Sequence, residues 1–131
     1  FWNNFNKHQN FLKEITGKDC TIFRFPGGSH NTLVRNAHGS SFTENIILKL
    51  NEQGINCYDW NVDSGDAKGN NIPATTIYNN VVKDSKDKDG HLKSPAIVLM
   101  HDCMTKTTTV EALPKIIEYF KEQGYKFDTL N

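Results

Sequence analysis

A chain of 131 residues is one domain's worth and can bury a substantial core. Its 15 basic and 15 acidic side chains cancel, which argues against a nucleic-acid footprint or an electrostatic membrane anchor. No apolar run approaches membrane-spanning length and no signal peptide is present, but a start at Phe1-Trp2 suggests a processed or truncated polypeptide, so secretion stays open.

The first apolar residues, Phe1, Trp2, Phe5, Leu12 and Ile15, fall at helical spacing, with Gly17 as the stop signal. Cys20 to Phe25 reads as a strand ended by Pro26-Gly27-Gly28-Ser29. Asn31 to Ser41 is polar and weakly patterned, and is expected as loop with at most one helical turn. Thr43 can cap a helix carrying Ile46, Ile47 and Leu50, closed by Gly54. Ile55 to Val62 reads as a second strand, followed by Asp63-Ser64-Gly65-Asp66 and a Gly/Asn-rich loop. Pro73 suits the first turn of a helix bearing Ile77, Val81 and Val82, and the charged stretch Lys83–Lys93 reads as a solvated turn around Asp89-Gly90. Ile97-Val98-Leu99-Met100 has the pattern of a strand buried on both faces, stopping at His101-Asp102. A Thr-rich loop, a helix with Val110, Leu113, Ile116, Ile117 and Phe120, and a short strand from Tyr125 to Leu130 complete the chain. This alternation predicts an α/β fold with parallel strands, as one domain but not necessarily a whole one.

The chemistry-bearing residues stand at strand ends, where a strand fixes a side chain and the next loop opens a cleft. Arg24, Asp63 and His101 each follow an apolar strand. Arg24 can hold a carboxylate by bidentate hydrogen bonding, and the Pro/Gly turn after it can present backbone N–H groups to an oxyanion. A carboxylate from Asp63 on one ring nitrogen of His101 would fix its tautomer, raise the imidazole pKa and make it a general acid. Taken singly, each has an ordinary alternative: a surface Arg at a turn, an Asx turn at Asp63, a satisfied histidine. The convergence of the three favours a site. The five histidines form no H-x-x-x-H pair, and His30, His38 and His91 read as solvated, so no three-ligand metal site is visible. Cys20, Cys57 and Cys103 form no C-x-x-C pair and exclude a disulfide framework; Cys20 and Cys57 are expected to act as small apolar residues on neighbouring strands, with a bond between them the alternative.

In this order the pieces resemble the C-terminal two-thirds, roughly, of a polysaccharide deacetylase domain (NodB homology, carbohydrate esterase family four). Arg24-Phe25-Pro26-Gly27-Gly28-Ser29 resembles the family's R-x-P turn, Asp63-Ser64-Gly65-Asp66-Ala67 its D-S/T-x-D-W motif, and Ile97 to His101 its I/V-x-L-x-H motif. Glu111 to Ile117, with Gly124 to Phe127, is similar to its closing helix and strand. The resemblance implies part of a distorted (β/α) barrel, residues 1–131 forming a partial domain. It implies hydrolysis of an N-acetyl or O-acetyl group on a glycan such as peptidoglycan or chitin oligomer, outside the cell or at its wall. By the same resemblance a divalent metal, usually zinc, polarises the carbonyl. Arg24 orients the catalytic base, the Gly27 N–H helps hold the oxyanion, and His101, tuned by Asp63, protonates the departing amine. Phe25, Pro26, Trp60 and Leu99 would face the substrate.

Two departures stand out. Ala67 occupies the position of the family's Trp. The acidic pair and the histidine pair that supply base and metal ligands are expected upstream of Phe1, in a segment with which this chain would then associate. The competing expectation is a non-catalytic glycan-binding relative, with Phe25, Tyr58 and Trp60 stacking on sugar.

Overall fold

The computed structural model of the protein describes residues 1–130, which divide into two units, Phe1–Asp59 with the last residues of the chain and Trp60–Asp128. Each unit contains one pair of parallel strands joined through helix.

In the first unit, α1 (Trp2–Thr16) ends at Gly17, whose φ of 71° lets its N–H turn back onto the Lys13 carbonyl. Only Phe5 of this helix is buried, and Phe11 and Ile15 remain exposed. Strand β1 (Ile22–Phe23) pairs in parallel with β2 (Asn56–Cys57), Ile22 opposite Asn56 and Phe23 opposite Cys57. Between them lie α2 (Thr32–His38) and α3 (Phe42–Asn51). Helix α2 replaces the expected loop. The Asn31 side chain caps it by accepting the Leu33 N–H at 2.9 Å, and none of its residues is buried. A helix set by its cap rather than by an apolar face leaves no periodic signal. Phe5, Phe25, Ile46, Leu50 and Ile55 form the core of this unit. Cys20 and Cys57 are free thiols, both half-buried, and Cys103 is free and exposed.

The single strand expected over Ile55–Val62 is two: β2 ends at Cys57, and β3 (Val62–Asp63) belongs to the second unit. Periodicity could not see the interruption, because β2 and β3 pair with different partners. Strand β3 pairs in parallel with β4 (Val98–Leu99), Val62 opposite Val98 and Asp63 opposite Leu99. Helix α4 (Ala74–Asp84) connects them, and α5 (Thr107–Glu122) packs on α4. Val62, Ile77 and Val81, all fully buried, meet Ala112, Ile116, Tyr119 and Phe120 in one cluster. Burying a side chain of this kind contributes about 1.5–3 kcal/mol. Ser85, also fully buried, spends its hydroxyl on the Val82 carbonyl at 2.8 Å and the Tyr119 hydroxyl at 2.9 Å, tying the end of α4 to α5.

Two expectations fail here. The strand ending at His101 is only half-buried from Ile97 to Met100, because within its sheet it has one neighbour, β3. Tyr125–Leu130 forms no strand; Tyr125 is held instead by its N–H on the Phe120 carbonyl at 3.0 Å and by its hydroxyl on the Lys93 carbonyl.

Candidate active site

The β3–β4 register sets the geometry of the second unit. The Ser64 N–H reaches the Leu99 carbonyl at 3.3 Å, so the backbone that leaves β3 runs beside the one that carries His101. Ser64-Gly65 then turns into a single 3-10 turn, Asp66–Lys68, with Gly65 at φ 70°. A Cβ on Gly65 would come within 2.7 Å of the Asn80 amide, which itself donates to the Ser64 carbonyl at 2.9 Å. Glycine is required on both counts.

This turn brings Asp66 to His101. The Asp66 carboxylate, 1% exposed, accepts the His101 main-chain N–H at 2.8 Å and lies 2.7 Å from His101 Nδ1. The imidazole is 38% exposed, so one edge is held from within while the other remains open to solvent. The Thr109 hydroxyl donates to the same carboxylate at 3.0 Å from the first turn of α5, where the helix dipole also favours a negative charge. Burial works against the charged form of Asp66. The hydrogen bonds from His101, Thr109 and Ser64 outweigh it and hold the carboxyl below the ordinary aspartate range. An ionised carboxylate on Nδ1 requires the proton there, which orients the ring and leaves Nε2 as the atom that can exchange a proton.

Asp63 does not do this. Its carboxylate accepts the Gly65 N–H at 2.8 Å, closing an Asx turn, while its own N–H goes to Asp84 at 2.7 Å. Asp63 faces a cleft of about 520 Å³ with Lys68, Asn80, Lys83, Asp84 and Lys86, which contains neither His101 nor Asp66. The reason is the strand's alternation followed by a tight turn: the first aspartate is consumed in making the turn that delivers the second. The signal lay in the three-residue spacing of Asp63 and Asp66, because the Asp63-Ser64-Gly65-Asp66 stretch carries both carboxylates. Leu99 is half-buried on β4, two residues before His101, and Trp60 is half-buried where the second unit begins.

The first unit holds Arg24 and the turn after β1. Arg24 is exposed, as are Pro26 and Gly27. Gly27 and Gly28 take φ of 74° and 82°, and the turn closes through the Gly28 N–H on the Phe25 carbonyl at 2.9 Å. Asp59 anchors its far side, accepting the Ser29 N–H at 3.0 Å and the Ser29 hydroxyl. Asn31 completes it, its N–H on the Gly28 carbonyl and its side-chain amide on the Pro26 carbonyl, both at 3.3 Å. None of these bonds uses the Gly27 N–H. The expectation for Phe25 is corrected: at 9% exposure it is a core residue, its ring against Phe23 and Phe1, because it points inward with the aromatic cluster of α1 and β1.

Among the described residues, one group of three metal-type side chains lies together: Asp87, Asp89 and His91, all exposed on the turn before β4. Asp87 Oδ1 already accepts the N–H groups of Asp89 and His91, each at 2.9 Å. This group does not include His101 or Asp66, whose own contacts make a hydrogen-bonded pair. The residues present therefore do not fit a catalytic metal centre at the His101 end of β4.

No family model matches the chain. It is 34% identical over 120 residues to YheN of Bacillus subtilis (strain 168), named as a polysaccharide deacetylase, a match that takes in 91% of this chain and 37% of YheN. It is 30% identical over 130 residues to a peptidoglycan-N-acetylglucosamine deacetylase of Bacillus cereus, covering 96% of this chain and 41% of that protein. The catalytic domain of peptidoglycan N-acetylglucosamine deacetylase from Eubacterium rectale matches it with a TM-score of 0.78 at 31% identity, over 96% of this chain and 54% of the solved one. With its parallel strands and alternating helices, the chain has part of the (β/α) barrel fold of carbohydrate esterase family 4. Over nearly its whole length it is similar in sequence and fold to polysaccharide deacetylases. It spans about half the length of the solved chain and less of the curated relatives it matches.

Proposed function

We propose that this chain is part of a deacetylase domain that hydrolyses N-acetyl or O-acetyl groups on a glycan such as peptidoglycan or chitin oligomer, outside the cell or at the wall. The observation that carries this reading is the His101–Asp66 pair: a half-exposed imidazole oriented through Nδ1 by a buried carboxylate, at the C-terminal end of a parallel strand. His101 Nε2 is the group that gives a proton to the departing amine or alcohol, and Asp66 stabilises the imidazolium before that transfer. Gly27 offers its N–H to the oxyanion, and Arg24 orients a carboxylate base. Pro26, Trp60 and Leu99 remain as substrate-facing residues, without Phe25. The divalent metal, zinc by family resemblance, would polarise the acetyl carbonyl. Its ligands and the base are assigned to the part of the domain that this chain does not span.

The test is acetate release from N-acetylated peptidoglycan and chitin oligomers by the protein that carries this chain. His101→Ala is expected to lower turnover about 10²–10⁴-fold, the usual contribution of a positioned general acid. Turnover within twofold of the unaltered protein would remove His101 from that role.

A further inference from the structure

The carboxylate that orients His101 rests on a backbone that cannot hold its own shape. Asp66–Lys68 is one 3-10 turn between two glycines, and its own closing bond, from the Lys68 N–H to the Gly65 carbonyl, is 3.3 Å long. A single turn fixes several dihedrals for very little hydrogen bonding. What secures it comes from far along the chain. Lys106, 8% exposed, places Nζ 2.7 Å from the Asp66 carbonyl oxygen and 2.6 Å from the Gly69 carbonyl oxygen. Both carbonyls therefore accept from one ammonium, at the first and last residues of the segment that must hold still. Lys106 is also the residue on which α5 begins, and its own carbonyl accepts the Thr109 N–H at 3.1 Å. Thr109 in turn donates to the Asp66 carboxylate. One element thus grips Asp66 twice, by main chain and by side chain.

We propose that Lys106 is a positioning residue: its buried ammonium clamps the Asp66 and Gly69 carbonyls and so sets the Asp66 carboxylate against the His101 ring. The chemistry suits lysine. An ammonium brings several donors, enough for two carbonyls at once. An apolar side chain of the same length would leave both carbonyls without this donor. This role rests on the reading of His101 as the proton-carrying group; Lys106 acts only through Asp66.

The test is NMR of the full chain with ¹⁵N-labelled histidine and lysine. In the unaltered chain the His101 Nδ1–H is expected as a protected resonance with the proton fixed on Nδ1. Lys106→Met is expected to lose that resonance while the amide spectrum of α4 and the core of α5 stays in place, and Lys106→Arg, which can also donate to two carbonyls, is expected to restore it. A Lys106→Met chain that keeps both the fold and the protected resonance overturns the clamp. Should that variant fail to fold, the unaltered chain decides alone. Ammonium protons of Lys106 that exchange more slowly than those of exposed Lys83 support the clamp, and equal exchange rates overturn it. In the protein that carries this chain, the role is expected to show as a fall in kcat with KM little changed. The two readings fail separately: full turnover in His101→Ala removes the acid, and an undisturbed ring signal in Lys106→Met removes the clamp.

Discussion

Two aspartates three residues apart have opposite duties, and the difference is one of partners. Asp63 spends its carboxylate on the N–H two residues on, whereas Asp66 accepts from His101 and Thr109 in a buried position. Because the Asp66 carboxyl is held below its ordinary range, its ionisation stabilises the fold at any pH above about 3.9, the value expected in the unfolded chain. That stability is lost as pH falls through the lower folded value. Asp66→Asn is therefore expected to lower the urea midpoint at pH 7, with the gap to the unaltered chain narrowing below about pH 4 as both carry a neutral group there. A gap that is constant from pH 7 to pH 3 would show that the carboxylate charge contributes nothing. On the first unit, Gly27→Ala forces a side chain into φ 74° with its Cβ 2.4 Å from the Asn31 amide. The left-handed backbone alone costs about 1–2 kcal/mol, and the Asn31 amide must leave the Pro26 carbonyl. Urea unfolding checks this, and an unchanged midpoint would mean that the turn is looser than its hydrogen bonds imply.

At the scale of elements, apolar pattern located the long helices and missed what short-range bonding builds. Helix α5 shows both sides of this. Ile116 and Phe120 are buried as their spacing predicts, while Val110 and Leu113, on the same apparent pattern, are exposed. Ala112 and Thr109 take the inward places instead, because the buried face of α5 packs on α4 and shifts at its start toward Asp66. Ile116→Ala is expected to cost about 2–5 kcal/mol in urea unfolding, and Val110→Ala to stay within about 0.5 kcal/mol. A larger cost at Val110 would mean that this face is covered in solution. The elements that escaped the sequence are those with no periodic face: α2, held by the Asn31 cap, and the 3-10 turn at Asp66, held by Lys106. Lys106 itself lay in a threonine-rich stretch that reads as loop, and nothing in its neighbours signals a buried ammonium. The strand ends were legible because Arg24, Asp63 and His101 interrupt apolar runs. Which aspartate meets His101 was not, because that depends on a turn rather than on a pattern.

For the molecule as a whole, the chemistry-bearing side chains are unevenly supported. His101, the buried Asp66, Thr109 and Lys106 form one connected set of hydrogen bonds. Among the described residues, the metal-type side chains form no such set. A tight zinc centre needs three or more ligand atoms aimed at one point with their outer partners in place. His101 Nδ1 is taken up by Asp66, and Asp87, Asp89 and His91 are exposed, with Asp87 Oδ1 engaged in the turn's own bonds. Zinc titrated calorimetrically into the full chain, in a buffer that does not chelate, is therefore expected to give no tight stoichiometric binding. Tight binding abolished by His91→Ala or His101→Ala would place metal ligation within these 131 residues, and the assignment of the ligands to the rest of the domain would fall.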